Sequence, residues 1–435
     1  MGVFMTKVVE VLEAMMGAGK STAIFKWIDD NPNEKYIYVS PNLSEVDVNG
    51  RIHNSVSKVE FHSPTIDESA TKLQDLNRLL SEGKSVACTH NLYLSMDNES
   101  MELVLKHQYI VILDEEINVM KSYKQYSFKD IVWLMKEGYI RRDDKDGSVI
   151  WIKEDELVND RDHSYFFCKN LCDKKSLYLT RFNVDSTTAK QAMMVTQIPI
   201  KLIECAKRCV AITYMFEGSV LDCFLKLKGF ETVPFTEVDL ERRKPSDIKH
   251  LITLVPPDSK TKKYAMTSTW WETKALKQHV LDIQNYILRN ARKFAVTPEN
   301  LIWTCPKARA KSENKAGKRT LLNPIGFNFY KERSVIGGKE VVEKKPCWIS
   351  AKTRATNDYG DKTVMIQCYN RYPLHDVASY LQDYGHPVDS DRFCVSEVTQ
   401  WFFRGAVRNN EPMVWCCANQ RVYDLLCDWL ADKFE

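Results

Sequence analysis

The side chains with the most explicit chemistry lie in a glycine-rich segment near the start of the chain. An apolar, β-branched run from Val8 to Leu12 is followed by Ala-Met-Met-Gly-Ala-Gly-Lys-Ser-Thr at positions 14–22 and then by a helical pattern. Small residues between a buried strand and a helix allow backbone N–H groups to turn toward phosphate oxygens, and the helix dipole adds positive potential there. The segment therefore predicts a loop that binds the phosphates of a nucleotide.

Each position of this loop has an expected role. The phosphate-binding residues are Gly17, Ala18, Gly19, Lys20, Ser21 and Thr22. The Lys20 ammonium would reach the terminal phosphates, and the Ser21 hydroxyl would bind Mg²⁺. Ala14 replaces the first glycine of the strict G-x-x-x-x-G-K-[ST] pattern, and an ordinary glycine-rich turn is the alternative interpretation. Because Gly-Lys-Ser-Thr stands at a strand-to-helix junction, the phosphate site is favoured.

A second candidate element is the acidic end of an apolar run from Tyr109 to Leu113, where Asp114, Glu115 and Glu116 follow. Hydrolysis of a nucleoside triphosphate needs a carboxylate on Mg²⁺ and a group that orients the attacking water. We expect Asp114 to hold the metal and Glu115 to orient or deprotonate the water, at the end of a strand that neighbours the loop strand. Helix-capping carboxylates are the alternative, but the upstream loop favours the catalytic interpretation.

A third element lies near the C-terminus, where Arg404 and Arg408 are four residues apart. In a helix this spacing places both guanidinium groups on one face. Arginines close to a bound triphosphate stabilise the charge that develops in the transition state. A solvated surface pair is the alternative. The flanking aromatic residues at 401–403 predict a largely buried helix, in which unpaired arginines would be costly, so a role in catalysis is favoured.

Apolar strands that alternate with helix-like stretches predict an α/β fold with parallel sheets covered on both faces. The candidate strands are Val8–Leu12, Tyr36–Val39, Ser85–Cys88, Tyr109–Leu113, Cys209–Thr213, His250–Leu254, Leu301–Thr304, Cys347–Ile349, Thr363–Cys368 and Met413–Cys416. The polar stretch from Glu241 to Lys249 predicts a junction between two domains. We therefore expect one α/β domain over 1–245 and a second over 246–435.

A small insertion is predicted in the first domain, at about 121–195. Ser127 is a good N-cap for a helix that ends at Gly138, and Asp146-Gly147 is typical of a hairpin turn. With Arg141 and Arg142 on it, this helix and hairpin could separate nucleic-acid strands.

A basic segment lies in the second domain. From Lys307 to Lys345 there are eleven basic residues against four acidic ones, an excess of +7. Its cations could contact phosphates while Phe327, Phe329 and Tyr330 stack on bases. A solvated loop is the alternative, because charge runs usually face water.

Composition sets the class of protein. The chain has 435 residues, 44% of them hydrophobic and 27% charged, which indicates a globular protein of about two domains. Its net charge is only +3, so a nucleic-acid surface would depend on local clusters. The thirteen cysteines suit reduced, buried thiols better than a disulfide scaffold or a zinc site. No run is long and apolar enough to span a membrane, so we expect a cytoplasmic protein without a membrane partner.

The order of the motifs resembles that of superfamily 2 helicases, and most of all the DEAD/DEAH-like helicases encoded by bacteriophages. The resemblance runs from position 14 to 408 and depends on order and spacing. The matching motifs are Ala-x-x-Gly-x-Gly-Lys-Ser at 14–21, Ser-Pro-Asn at 40–42, Thr-His at 89–90, Asp-Glu-Glu at 114–116, Thr-Tyr at 213–214, Thr-Arg-Ala-Thr-Asn-Asp at 353–358 and the segment 400–408. The acidic motif reads D-E-E-I rather than D-E-A-D or D-E-A-H, which disfavours a DEAD-box RNA helicase in the strict sense.

The resemblance implies two tandem RecA-like P-loop domains that use ATP and Mg²⁺. It further implies that Gln400, Arg404 and Arg408 sense the γ-phosphate, and that Thr213 couples hydrolysis to domain movement. The residues implied to contact nucleic acid are Pro41, Thr89, His90, Thr353 and Arg354. The implied setting is phage DNA replication or recombination in the cytoplasm of an infected bacterium.

Three functions stay open at this point. The leading hypothesis is an ATP-dependent DNA helicase or translocase that acts on single-stranded or forked DNA, with other replication proteins as further partners. The second is an RNA helicase or remodeller with the same ATPase. The third is a P-loop ATPase that acts as a switch for partner binding and does not translocate.

Overall fold

The computed structural model describes residues 7–67, 69–153, 164–182, 193–310, 320–336, 339–353 and 358–434. The chain forms two compact units. The first comprises Met1–Glu13, Gly19–Leu240 and Pro373–Asp389, and the second comprises Ala14–Ala18, Glu241–Tyr372 and Ser390–Glu435.

Strands and helices alternate along most of the described chain. The strands are β1 Val8–Glu13, β2 Tyr36–Ser40, β3 Phe61–His62, β4 Ser85–Thr89, β5 Ile110–Asp114, β6 Met120–Tyr123, β7 Ile140–Arg142, β8 Val149–Trp151, β9 Leu177–Leu179, β10 Met194–Gln197, β11 Arg208–Thr213, β12 Glu231–Pro234, β13 Ile252–Val255, β14 Leu301–Thr304, β15 Phe329–Ile336, β16 Lys339–Pro346, β17 Val364–Gln367 and β18 Met413–Cys417. The helices are α1 Lys20–Asp30, α2 Leu43–Val46, α3 Arg51–Ser55, α4 Lys72–Ser81, α5 His90–Leu94, α6 Asn98–His107, α7 Phe128–Lys136, α8 Phe166–Asp173, α9 Lys201–Glu204, α10 Val220–Leu227, α11 Pro245–Ile248, α12 Lys277–Lys293, α13 Lys307–Ala310, α14 His375–Asp383, α15 Ser390–Phe402 and α16 Gln420–Trp429.

The first unit is built on a parallel sheet in the order β12-β1-β11-β5-β2-β4-β3. Every residue of β2 is buried, as is typical of a parallel strand that helices cover on both faces. One face carries the apolar side chains of α4, α6 and α10, and the other carries those of α1. The predicted α/β fold is thereby confirmed for this unit.

The second unit holds a shorter parallel sheet in the order β13-β18-β17-β14. Every residue of its central strand β17 is buried, and α12 covers one face of the sheet with Val280, Ile283 and Ile287. An aromatic stack packs beside β18, in which the rings of Phe402 and Trp415 are 4.5 Å apart and nearly parallel. This unit is also an α/β layer structure, as predicted.

The predicted insertion forms a small subdomain of its own. Strands β6, β10 and β9 make an antiparallel sheet, and β7 and β8 form a hairpin that turns at Asp146-Gly147. The Ser127 hydroxyl accepts a hydrogen bond from the Asp130 N–H, and the Asp130 carboxylate accepts one from the Ser127 N–H at 2.7 Å. The predicted N-cap and turn are therefore confirmed.

Two predicted strands differ from the structure. Cys347–Ile349 is not a strand; it makes a single bridge through Trp348 to Trp303, and the Trp348 indole N–H donates to the Cys305 carbonyl at 3.0 Å. A short buried apolar run does not by itself specify ladder pairing. The strand predicted from His250 begins only at Ile252, because Lys249–Leu251 forms a 3₁₀ turn.

Helix α14 belongs to the first unit, although it follows β17 of the second in sequence. Its Val377, Tyr380 and Leu381 enter the core of the first unit. The Tyr380 ring lies 5.9 Å from that of Tyr178 on β9, and its hydroxyl donates to the Asp146 carbonyl. The chain therefore returns to the first unit late in the sequence, which the predicted boundaries do not include.

We predict that Tyr380→Ala selectively destabilises the first unit. Loss of a buried aromatic ring costs about 3–5 kcal/mol, and the ring packs on β9. Hydrogen exchange should show lost protection in β9 and the 146–149 backbone and unchanged protection in β17. Ser379→Ala, on the less buried face of the same helix, is the control and should leave both regions protected. Loss of protection in β17 alone would contradict the assignment of α14 to the first unit.

Candidate active site

The loop between β1 and α1 has the backbone that its glycines require. Gly17 has φ +80° and Gly19 has φ +81°, a region that costs other residues about 1–2 kcal/mol. A Cβ atom built on either glycine would meet no atom within 4 Å. The glycines are therefore needed for the backbone conformation, and open space lies in front of the loop.

Helix α1 begins at this loop with its N-terminus available to an anion. Gly19 is the N-cap residue and has no side chain to accept from the first N–H groups of the helix. The helix is held in place by Ile24, Phe25 and Ile28, which are buried against the sheet. A rigid helix N-terminus with free space in front of it is a good phosphate site.

Asp114 is the last residue of β5, and a neighbouring side chain holds its carboxylate in place. The Tyr38 hydroxyl, from the neighbouring strand β2, donates to Asp114 Oδ2 at 2.7 Å. Burial, with the negative charge of Glu115 next to it, raises the pKa of Asp114 to about 7, and the Lys20 ammonium acts in the opposite direction. The carboxyl group is thus held in place by Tyr38, and on balance its surroundings disfavour the charged form.

His90 supports the same strand end. Its Nε2 lies 2.8 Å from the Asp114 carbonyl oxygen, which can only accept, so Nε2 carries the proton. The side chain is buried, with 9% of its surface exposed. What the structure shows for His90 is a contact that fixes Asp114, and its predicted contact with nucleic acid stays a prediction.

The end of β1, which leads into the loop, and Asp114 lie at one edge of the sheet. Glu13, at the end of β1, is level with Thr213 on β11, and Ile212 on β11 is level with Asp114. The acidic strand was expected next to the loop strand, and this was wrong, because β11 lies between them. Two strand spacings separate the strand ends by about 10 Å, which leaves room for a polyphosphate.

Glu115 and Glu116 have different environments. Glu115 has φ +62°, uncommon for a residue with a side chain and frequent at functional sites, and its N–H donates to the Ile212 carbonyl at 2.9 Å. Glu116 Oε1 accepts the Leu221 N–H at 2.8 Å, in the first turn of α10. The chain thus turns at Glu115, while Glu116 anchors a helix.

Three further residues complete this cluster, and the sequence analysis missed them. They are Tyr38, Glu45 and Arg51. Arg51 Nη2 donates to the Thr22 hydroxyl at 3.0 Å, and Arg51 Nη1 lies 3.7 Å from Glu45 Oε2. Burial, then Asp114 and Glu45, raise the pKa of Tyr38 well above its usual range, so the phenol stays a hydrogen-bond donor. No local pattern indicated that α3 would reach the glycine loop.

The predicted nucleic-acid residues lie at strand ends and turns. Pro41 follows β2 and Thr89 ends β4, both half-buried at the same edge as Asp114. The Thr89 hydroxyl caps α5 by accepting from the Leu92 N–H at 3.4 Å. Thr353, in the second unit, is half-buried in a turn closed by its N–H to the Ser350 carbonyl. Arg354 lies outside the described residues.

The predicted helix over the two arginines is wrong in its extent. Helix α15 ends at Phe402, Arg404 lies in the turn that follows, and Arg408 is in a 3₁₀ turn at Ala406–Asn409. The reason is local packing: a Cβ on Gly405 would overlap the Met413 side chain and lie 2.9 Å from the Lys362 carbonyl. The chain leaves the helix so that Gly405 can pack there.

The three residues of this segment therefore differ in exposure. Arg404 is buried, with 5% of its surface exposed. Burial raises the pKa of Tyr359, and the positive charge of Arg404 acts in the opposite direction. Arg408 is exposed. Gln400 lies on α15 and its amide donates to the Ser396 hydroxyl at 3.0 Å. Arg404 and Arg408 do not share a helical face.

The residues at the first unit's site fit a magnesium nucleotide. Mg²⁺ is usually held by one or two carboxylates, a hydroxyl and the phosphates of the nucleotide, so it needs no dedicated protein cage. Asp114 and Ser21 are the expected ligands. The described part of the chain contains no group of three or more His, Cys, Asp or Glu side chains placed to hold a metal. The buried Asp114 carboxylate would be stabilised by a cation at this edge.

The chain is similar to known proteins over its whole length. Residues 246–430 match the YonV C-terminal Rossmann-like domain. The SPbeta prophage-derived uncharacterized protein YonV of Bacillus subtilis (strain 168) is 24% identical over 453 residues, which cover 98% of this chain and 99% of that protein. The solved apo structure of XPD is similar with a TM-score of 0.53 at 12% identity, over 98% of this chain and 96% of that one.

These similarities establish the fold. Together with the two parallel sheets, they show the predicted fold, an α/β protein with RecA-like domains. The prophage relative agrees with the resemblance to phage-encoded proteins. None of the described helices is long and apolar enough to cross a membrane.

We predict that Gly17→Ala and Gly19→Ala weaken nucleotide binding although the added methyl groups have space. Each variant should lose about 1–2 kcal/mol of stability from the positive φ and should bind a fluorescent ATP analogue much less tightly. Gly229→Ala is the matched control, because Gly229 has φ +75° and equally open surroundings but lies away from the loop. It should lose similar stability and keep its nucleotide affinity. Equal loss of affinity in all three variants would contradict the site.

Proposed function

We propose that this protein is an ATP-dependent DNA helicase or translocase that moves on single-stranded DNA. The observation that carries the proposal is the shared sheet edge, where the end of β1, which leads into the glycine loop, and Asp114 at the end of β5 are two strand spacings, about 10 Å, apart. A loop that binds phosphates next to an acidic strand end is the arrangement that nucleoside triphosphate hydrolysis requires.

Each residue has a defined task in the proposed reaction. The backbone N–H groups of the loop bind phosphate oxygens, and the Lys20 ammonium neutralises charge on the terminal phosphates. Asp114 and Ser21 would hold Mg²⁺, which neutralises charge on the phosphates when bound. Tyr38 and His90 keep Asp114 in place.

Glu115 is the proposed residue that orients the attacking water. Its turned backbone directs it away from the line of β5, while Glu116 remains bound to α10. Carboxylates are effective general bases when they are partly removed from solvent. The two adjacent glutamates thus divide into a catalytic residue and a structural one.

Gln400, Arg404 and Arg408 are proposed to respond to the γ-phosphate. Their shared motif supports this role, although they do not form one helical face. Arg408 is exposed and so is accessible to a ligand. Arg404 is buried, so it would contact the phosphate only after the segment rearranges, or would act on it electrostatically without contact. The proposal that the bound nucleic acid is DNA is supported by the helicase-like fold shared with XPD and by the prophage relative.

We predict that Glu115→Gln lowers ATP turnover about 100-fold or more while ATP binding is retained. Glu116→Gln is the matched control, because an amide oxygen can still accept the Leu221 N–H. It should hydrolyse ATP at close to the rate of the unmodified protein. Steady-state turnover of both variants, with and without oligonucleotides, is the measurement. Full turnover by Glu115→Gln would contradict the assigned role.

The same assay shows which type of nucleic acid stimulates ATP hydrolysis. Strong stimulation by single-stranded DNA supports the proposal and leads to strand-displacement assays. Stronger stimulation by single-stranded RNA would favour the RNA remodeller. ATP turnover that is indifferent to any nucleic acid would favour the partner-binding switch.

We predict that Arg408→Ala lowers the rate of ATP hydrolysis by up to about 10³-fold with little change in KM. An arginine that acts on the transition state affects kcat more than ground-state binding. Arg289→Ala is the control, since Arg289 is an exposed arginine of the same unit that is paired with Asp258. Equal effects of the two substitutions on kcat would show that Arg408 has no specific role.

A further inference from the structure

The basic segment of the second unit folds as a two-stranded hairpin. Strands β15 and β16 pair antiparallel over eight residue pairs, from Phe329 opposite Pro346 to Ile336 opposite Lys339. Among the described strands they pair only with each other. The sequence analysis left a solvated loop open as the alternative, and for 329–336 and 339–346 the structure excludes it.

Alternation along the strands separates the side chains into two faces. We call the set Phe329, Lys331, Arg333, Glu340, Val342, Lys344 and Pro346 the basic face; all seven side chains are exposed. The opposite face carries Tyr330, Glu332, Glu343 and Lys345. The register therefore places three cations and one carboxylate on the basic face, while Glu332 and Glu343 lie on the other.

The opposite face anchors the hairpin and sets its orientation. Tyr330 is buried, and the ammonium of the buried Lys362 lies 4.3 Å from the centre of its ring. Next to Tyr330, the Lys345 ammonium pairs with Glu332 and lies 3.9 Å from Glu343. Tyr330 therefore cannot stack on bases, so that part of the sequence prediction was wrong, and the basic face points away from the core of this unit.

The basic face contains an unfavourable charge pair. Lys331 and Lys344 are directly opposite each other in the ladder. Like charges at facing positions destabilise a sheet, whereas opposite charges there stabilise it. The nearest carboxylate on this face is that of Glu340, which lies toward the tip of the hairpin and pairs with Arg333 at 3.4 Å. A phosphate between the two lysines would turn the repulsion into attraction.

The same face offers an aromatic ring. Phe329 is 51% exposed, and the Lys344 ammonium lies 4.4 Å from its ring centre. A cation beside an exposed ring is the combination that binds single strands, because phosphates meet the cation and bases stack on the ring. A duplex keeps its bases stacked inside and would not use the ring.

We propose that the basic face of the β15–β16 hairpin binds single-stranded DNA, with a phosphate between Lys331 and Lys344 and a base on Phe329. This rests on the proposed function and adds a defined part of its DNA surface. None of its residues is among the predicted nucleic-acid contacts at Pro41, Thr89, His90, Thr353 and Arg354.

The test compares neighbouring lysines that point to opposite faces. Binding of a fluorescent oligothymidylate of about 16 nucleotides is measured by anisotropy over a range of salt concentrations, without ATP. Lys331→Gln and Lys344→Gln should weaken binding several-fold and lower the salt slope by about 0.7 each. Lys345→Gln removes the same charge from the opposite face and should leave affinity and slope nearly unchanged.

Stability separates a binding role from a structural one. Lys331→Gln relieves the like-charge pair, so hydrogen exchange in the hairpin should not increase while DNA affinity falls. Phe329→Leu should weaken binding to the oligothymidylate but not to an abasic strand of the same length and charge. Equal effects of Lys344→Gln and Lys345→Gln would overturn the proposal, because binding would then follow net charge alone.

The controls keep this proposal distinct from the proposed function. Basal ATP turnover of Lys345→Gln, which lies outside the proposed site, should equal that of the unmodified protein. If the unmodified protein binds the oligonucleotide and all three lysine variants bind it equally well, the hairpin site is wrong and the helicase function stands. If the unmodified protein neither hydrolyses ATP nor binds the oligonucleotide, the proposed function itself fails.

Discussion

The candidate site depends on how one half-buried carboxylate, that of Asp114, is held. Removing a charged group from water costs several kcal/mol unless hydrogen bonds and opposite charge replace the solvent. Tyr38 supplies a hydrogen bond from the next strand, His90 at the start of α5 fixes the backbone of Asp114, and Lys20 partly offsets the rise in the pKa of Asp114. This set exists only if β5, β2 and β4 are parallel neighbours in register. The contacts of the candidate site therefore require this order of strands in the sheet.

Three of the residues with positive φ lie at or next to this edge of the sheet. Gly17, Gly19 and Glu115 all have positive φ, and the first two have open space around them. Such conformations are kept when the surrounding structure determines them and a function uses them. Around them the structure is rigid: α1 is packed under the sheet and Glu116 is bonded to α10. Rigid supports around a strained, open loop are what a site for repeated nucleotide binding needs.

The second unit illustrates how packing decides the geometry of charged residues. Gly405 must approach Met413 and the Lys362 carbonyl, so α15 stops at Phe402 and the two arginines separate. In the hairpin, ladder register places Lys331 and Lys344 on one face while Glu332 and Glu343 lie on the other. In both cases the sequence shows which charges are present, and packing determines which of them face a ligand.

Local signals in the sequence were sufficient for a large part of this protein. The parallel α/β architecture follows from apolar runs such as Tyr36–Ser40, the start of α7 from the Ser127 cap, and the turn between β1 and α1 from its glycines between a strand and a helix. These features depend on neighbouring residues, so spacing and residue type reveal them. Tertiary structure alone decided the other features. It brought Tyr38 to Asp114 and Arg51 to Thr22, and it returned α14 to the first unit. It also separated Arg404 from Arg408 and gave the hairpin its two faces. Each joins residues distant in sequence or depends on register and close packing, and no local pattern encodes those.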